Sequence, residues 1–287
     1  MENIKVTIVT VTYNAEELLE ATINSIINLT YEDIEYIIID GGSTDGTIDI
    51  IKQYEDKINY WISEPDEGIY FAMNKAIKIA TGEWINFMNA GDTFADLNTV
   101  KYVMDHKNND AELIYGNFYK KHANITVNAL EQSKWFTTMP FCHQTLFAKT
   151  TLMREKPFDT DFKIVADYNF IITMYKQEKK FCYLDKTLAI FTEGGFANNN
   201  TVKMCIESLK VLMDNELDME DIYSTSWFQH LDNTDTKYSN LQHKYNLDLD
   251  YIHNLISDFF STKLYKNPIE KLKAGRRLYL FYISSSR

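Results

Sequence analysis

Four short polar segments close four apolar runs: Thr12-Tyr13-Asn14, Asp40-Gly41-Gly42-Ser43, Glu64-Pro65-Asp66-Glu67-Gly68 and Asn89-Ala90-Gly91-Asp92. A carboxylate beside small residues, as in the last, leaves room for close ligand approach. It can hold Mg2+ or Mn2+, hard cations that prefer oxygen and bridge protein to phosphate. The same Asp92 can instead cap a helix that follows it. Asp66, between Pro65 and Gly68, is a sugar or ribose contact or simply the acid that a turn favours. Lys75, one turn into the next helical pattern, is either a ligand contact or a solvated face residue. Further on, His143 lies in an apolar, strand-like run and Asp167 at the start of a helical one; a hydrogen-bonded core histidine and a helix cap are the structural alternatives.

These segments need elements that aim them at one place. Residues 5–12 form a β-branched run, and residues 16–27 repeat apolar side chains at helical spacing through Leu18, Leu19, Ile23, Ile26 and Ile27. Strands at 34–39, 60–63 and 83–88 alternate with helical patterns at 47–54 and 70–80, which predicts a parallel sheet covered on both faces. In such sheets ligands bind beyond the carboxyl ends of the strands, where all four polar segments fall. After residues 113–116 the alternation fades into shorter runs at 145–149 and 181–184 and a helix at 166–177, so the second half of the sheet is expected to be mixed. From about residue 201 the pattern is helical, at 202–212 and 251–260, around an acidic tract at 214–235. The expected division is an α/β domain over 1–200 and a helical region over 201–287.

The 287 residues carry a formal charge of -12, which argues against a nucleic-acid binder. The charge is uneven: residues 262–287 hold seven basic side chains against Glu270 alone, a net +6, leaving about -18 elsewhere. The basic and apolar residues of 271–283 interleave, as in a terminal helix packed on its own domain or a segment lying on the cytoplasmic face of a membrane. Cys142, Cys182 and Cys205 lack CxxC spacing and are odd in number, which suits reduced thiols in a cytoplasmic protein. The opening MENIKVTIVTVTYN runs into a strand pattern without the marks of an export signal, and no apolar run of about 18 residues is present. No GxGxxG follows the first strand and no GxxxxGK[ST] occurs, so the usual dinucleotide and P-loop signatures are missing.

Several ordered segments over about 6–191 resemble the family 2 glycosyltransferases, which have the GT-A fold. "VTIVTVTYNAEELLEATINSI" looks like that family's opening strand, turn and helix, and "YIIIDGGSTDGT" like its second strand and acidic loop. "SEPDEGIYFAMNKAIKIATGEWINFMNAGD" is similar to the subgroup that builds bacterial exopolysaccharides, capsules and O-chains. "PFCHQTLFAK" and "FKIVADYNFIITMYKQ" resemble its His-Gln segment and acidic helix start. The resemblance implies a GT-A-type sandwich with a mixed, mainly parallel sheet and an inverting transfer from a nucleotide sugar, UDP-linked, to a glycan or lipid-linked acceptor. By it, Asp92 ligates Mn2+ or Mg2+ with Asn89 as helper, and Asp40 reads the base or ribose while Thr12 and Tyr13 pack the nucleoside. Asn14, Gly42, Ser43, Asp66, Gly68 and Asn74 complete the donor side, His143 touches diphosphate or acceptor, and Asp167 is the general base. The chain departs from the family pattern at Gly41 and Phe71, where acids are usual, and at Asn89-Ala90-Gly91, where only the last acid of the motif remains. Those departures motivate an alternative, a degenerate GT-A-fold protein that binds nucleotide or glycan without turnover.

Overall fold

β1 (Val6–Thr12) buries all seven of its residues, as a strand does when it has neighbours on both sides and cover on both faces. In the computed structural model, which describes residues 4–194, 200–217, 221 and 224–227, β1 pairs in parallel with β2 (Ile34–Asp40), and β2 with β3 (Tyr60–Ser63). The chain then crosses back to place β4 (Trp84–Phe87) parallel to β1 on its other side. This reversal of strand order opens a crevice at the carboxyl ends of β1 and β4.

Five more strands complete a nine-stranded sheet: β5 (Thr93–Phe94), β6 (Leu113–Lys120), β7 (Ile125–Val127), β8 (Phe147–Lys149) and β9 (Phe181–Phe191). β8 runs antiparallel between β4 and β6, β9 lies parallel to β6, β5 closes the far edge against β9, and β7 pairs with β6. The mixed second half is as expected, but β9 runs to Phe191, well past residue 184. A register shift at Gly116 and Asn117 lets its second half continue beside β6.

Alternation along each strand sends one set of side chains to each face. Ile8, Tyr36 and Ile38 pack with α1 (Leu19–Ile27), α2 (Thr47–Gln53) and α4 (Thr99–His106). Val9, Val11, Ile37 and Ile39 face α3 (Ile69–Ile79), α5 (Thr150–Glu155), α6 (Ala166–Lys176) and α7 (Thr201–Asp214). Helices α4 and α5 were not expected from the sequence; both are short, at 8 and 6 residues, so neither gives two full turns of apolar repeat beyond its caps.

The expected boundary at residue 200 does not divide the core. Cys205, Leu209, Leu212 and Met213 of α7 join the same cluster as α3 and α6. Glu207, fully buried, accepts hydrogen bonds from the backbone N–H groups of Lys163 (3.1 Å), Ile164 (2.9 Å) and Val165 (3.2 Å), the turn that launches α6. The helical pattern at 251–260, the basic segment 271–283 and most of the acidic tract lie outside the described residues. No helix among the described residues is long and apolar enough to cross a membrane.

Removing Glu207 strands three backbone donors, two of them buried. Glu207→Ala is therefore expected to lower stability by about 3 kcal/mol or more, read by urea denaturation; a loss below about 1 kcal/mol would show that the turn finds other partners.

Candidate active site

Two groups of side chains meet at the carboxyl edge. The first surrounds the loop after β2. Asp40 is fully buried, and its carboxylate accepts from Gly42 N (3.0 Å), Ser43 N (2.9 Å), Ser43 Oγ (2.5 Å) and Ser63 Oγ (2.6 Å). Gly42 adopts φ +83, and a Cβ there would press on Pro65 at 3.1–3.3 Å, so glycine lets the loop turn tightly. Asn14 N donates to Ser43 Oγ (2.7 Å), and Asn14 Oδ1 accepts from Thr44 N (2.9 Å). Asp40 is thus no base or ribose contact: its four bonds are internal, and it shapes the loop together with Asn14, Gly42 and Ser43.

The acid that stands over this loop is Asp66. Its Oδ1 accepts from Gly68 N (2.9 Å), at the entry to α3. Its Oδ2 lies 3.0 Å from the point a Cβ on Gly41 would occupy, and the Tyr13 ring lies 3.5 Å from the same point. Tyr13 is 64% exposed. The glycine therefore leaves room beside both the Tyr13 ring and the Asp66 carboxylate that a side chain would fill. The buried Thr12 hydroxyl has no hydrogen-bond partner in the protein. Asn74 does not join this group, because both ends of its amide are spent on the backbone of Phe158, at 2.8 and 3.0 Å. Lys75 is not merely solvated: its ammonium pairs with Glu64 at 2.8 Å and steadies the same loop.

The second group lies beyond β4. Asn89 Nδ2 is 3.0 Å from His143 Nε2, and His143 Nδ1 is 3.0 Å from Asp167 Oδ2. Asp167 Oδ1 accepts from Tyr168 N (2.9 Å) and from Tyr70, which shares its hydroxyl hydrogen between Asp167 (3.0 Å) and Ile164 O (2.7 Å). Burial, then the Asp167 charge, push the Tyr70 phenol well above its usual range, so it stays a donor. Asp167 lies inside the first turn of α6 without capping it. His143 is not in a strand; it opens a single 3-10 turn, His143–Thr145, ahead of β8.

Asp92 is followed by β5, so it caps no helix. Its Oδ1 accepts from Thr192 N at 2.9 Å and its Oδ2 from the Gln144 amide. Tyr70, Gln144 and Thr192 were not singled out from sequence. Tyr70 read as part of an apolar helix face, Gln144 stood in the His-Gln segment without a role, and Thr192 had no local signal. Trp135 is a core residue packed against Tyr115, Phe141 and Phe181.

Among the described residues no three His, Cys, Asp or Glu side chains cluster to hold a metal. The oxygen donors on hand are the Asp92 carboxylate and Asn89 Oδ1, which is buried without a partner. Magnesium-like ions keep several waters and take further ligands from substrate phosphates. The two oxygens therefore fit a cation bound jointly with a diphosphate better than one held by the chain alone.

A model of the family described as Glycosyl transferase family 2 matches residues 7–179. The chain belongs to this family. The matched span contains both groups of side chains and ends shortly after α6. A PGL/p-HBAD biosynthesis glycosyltransferase of Mycobacterium tuberculosis is 27% identical over 201 residues, 67% of this glycosyltransferase and 78% of the relative. A poly(ribitol-phosphate) beta-glucosyltransferase of Bacillus spizizenii is 30% identical over 197 residues, 61% of the chain but 30% of that longer protein. Among solved structures, S. aureus TarS 1-349 in complex with UDP superposes with a TM-score of 0.60 at 18% identity, covering 88% of the chain and 78% of TarS. The mannosyltransferase PcManGT from Pyrobaculum calidifontis, in complex with GDP-Man and Mn2+, gives 0.61 at 16%, covering 100% and 83%. The mixed, mainly parallel sheet flanked by helices is the GT-A fold.

Burial pushes the Asp92 carboxyl from an ordinary 3.8 up to about 6, against the Thr192 amide, Gln144 and His143, which pull it down. The native state then holds a proton that the unfolded chain has released. The stability this contributes is fully present below about 3.8 and is lost as pH rises through about 6. Between pH 5 and pH 7 in the presence of a chelator, the wild-type melting temperature is expected to fall more, or rise less, than that of Asp92→Asn. Equal pH dependence of the two would show that Asp92 titrates as an exposed carboxylate does.

Proposed function

We propose that this glycosyltransferase moves a sugar, with inversion, from a UDP-linked donor to a glycan or lipid-linked acceptor in the synthesis of a bacterial surface polysaccharide. The observation that carries the reading is the placing of Asp167: a carboxylate held by three donors, 8% exposed, joined through His143 to Asn89 at the donor-side strand tip. Mycobacterial and Bacillus relatives named for glycolipid and poly(ribitol-phosphate) glycosylation support the acceptor class. TarS complexes with UDP and UDP-GlcNAc support the donor.

In this reading Tyr13 packs the base, Thr12 supplies a hydroxyl, and Asp66 Oδ2 accepts an N–H from the edge of the base. A carboxylate accepts the ring N–H of uracil or guanine, whereas the ring nitrogen of cytosine at that edge is itself an acceptor and its donor is the displaced exocyclic amine. Asp167 takes the proton of the acceptor hydroxyl as its oxygen bonds to the anomeric carbon, and the bond from that carbon to the diphosphate oxygen breaks on the opposite face. Asn89 and Asp92 would hold the Mn2+ or Mg2+, which when bound offsets the charge of the departing diphosphate.

Two measurements test this. Asp167→Asn is expected to lower multiple-turnover release of UDP by at least about 100-fold while UDP still raises the melting temperature in Mn2+; retained turnover would remove Asp167 from the base role. Asp66→Ala is expected to weaken UDP binding about tenfold or more, as loss of a charge-assisted hydrogen bond does, and to narrow the preference for UDP over CDP. An unchanged preference would leave base reading to other groups. If no nucleotide sugar is turned over by the wild type although UDP binds, the chain is a binding protein on this fold.

A further inference from the structure

The path from Asn89 to Asp167 contains a choice of hydrogen positions that the geometry fixes once the ring is neutral. His143 Nδ1 faces a carboxylate oxygen at 3.0 Å, and two lone pairs at that distance repel, so Nδ1 carries a hydrogen. A neutral imidazole has one N–H only. Nε2 therefore presents a lone pair, and the group 3.0 Å from it has to be a donor. Asn89 Nδ2 is that donor, which leaves Oδ1 as the partnerless end of the amide. An aspartate at 89 has no hydrogen to offer, and would meet the bare nitrogen with a second lone pair or force a second proton onto the ring.

We infer that Asn89 is a positioning residue for the base: its amide holds His143 in the tautomer with hydrogen on Nδ1, and His143 in turn fixes the orientation of Asp167. The side chains of His143 and Asp167 are 19% and 11% exposed, so water does not supply the missing contacts easily. Three donors then converge on the carboxylate from separate elements: Tyr70 on α3, Tyr168 on α6 and His143 on the turn before β8. Of these only His143 grips Oδ2, so it decides the rotation of the carboxylate about its last bond and with it the direction of the remaining lone pairs. This replaces the expectation that His143 touches the diphosphate or the acceptor. It also gives a physical reason for an amide at the first position of the Asn89-Ala90-Gly91-Asp92 tip. A carboxylate there would bring more charge to a cation but would break the tautomer.

The catalytic consequence rests on Asp167 being the base; the tautomer does not. The experiment therefore has two arms. In the first, long-range proton–nitrogen NMR spectra of the full chain with 15N-labelled histidine are recorded at pH 8, with His143 assigned from the signals lost in His143→Asn. The expected pattern is a protonated Nδ1 and a bare Nε2, giving way to a tautomer mixture in Asn89→Ala. A protonated Nε2 in the wild type, alone or with Nδ1, would mean that Asn89 presents Oδ1 instead, and would overturn the inference.

In the second arm, Asn89→Ala and His143→Gln are expected to lower kcat roughly tenfold to a hundredfold; the affinity for UDP is read in His143→Gln, where it stays within about twofold, because Asn89 also stands beside the cation. His143→Asn, whose amide N–H stands where Nδ1–H stood, is expected to recover most of that loss, whereas the Gln amide reaches the Nε2 position and does not. Weakened UDP binding in His143→Gln with kcat untouched would place His143 on the diphosphate and overturn the inference. If Asp167→Asn keeps its turnover, the base assignment fails by itself, and the NMR arm still decides the tautomer.

Discussion

A buried amide on β4 fixes where the two halves of the site meet. Asn86 is fully buried, and its Nδ2 donates to Gln144 O and Leu146 O, each at 2.9 Å. The neighbouring strand β8 has three residues, too few to control the chain that precedes it. Leaving two interior carbonyls unpaired costs on the order of 1–3 kcal/mol each, so the turn at 143–145 has one good position. From it His143 reaches Asn89 and Asp167, and Gln144 reaches Asp92. One side-chain amide thereby ties the parallel half of the sheet to antiparallel β8 and the turn before it.

Around that tie, four aspartates of the same chemical type hold different offices because different donors reach them. Asp40 receives four hydrogen bonds in the dry interior and has become part of the loop's frame. Asp92 receives two and pays for its burial with a raised affinity for protons. Asp167 receives three but keeps a small exposed surface. Asp66 receives one and has an oxygen left over beside Tyr13. Position at a strand tip brings a carboxylate to the crevice. The count and direction of donors decide whether it shapes, titrates, accepts a proton or reads a ligand.

The first half of the fold was legible because its signals are local. β1, α1, β2, α2, β3, α3 and β4 each show their own apolar period, and the polar residues after each strand fall at the carboxyl edge by the geometry of a parallel sheet alone. The family resemblance added Asp92, Asn89, His143 and Asp167 as one set, and the fold brings these four together. What failed to show were elements whose pattern depends on a distant neighbour. The far half of β9 holds Asp185 and Lys186 and continues only because a register shift in β6 accommodates it. α7 reads as the start of an appendage, yet Glu207 is consumed by the turn before α6, more than forty residues earlier in the chain.

The amino-acid sequence by itself determined the alternation of strands and helices, the covered parallel core and the presence of acids at its edge, since each follows from residue types within a few positions of one another. Only the tertiary structure decided which acids are tied up by internal donors and which keep an oxygen free. The donors that settle the matter come from far along the chain: Thr192 lies 100 residues from Asp92, Tyr70 lies 97 from Asp167, and Ser63 lies 23 from Asp40. A hydrogen bond has no signature in the sequence between its partners, and it exists only once the folded sheet has brought them within about 3 Å.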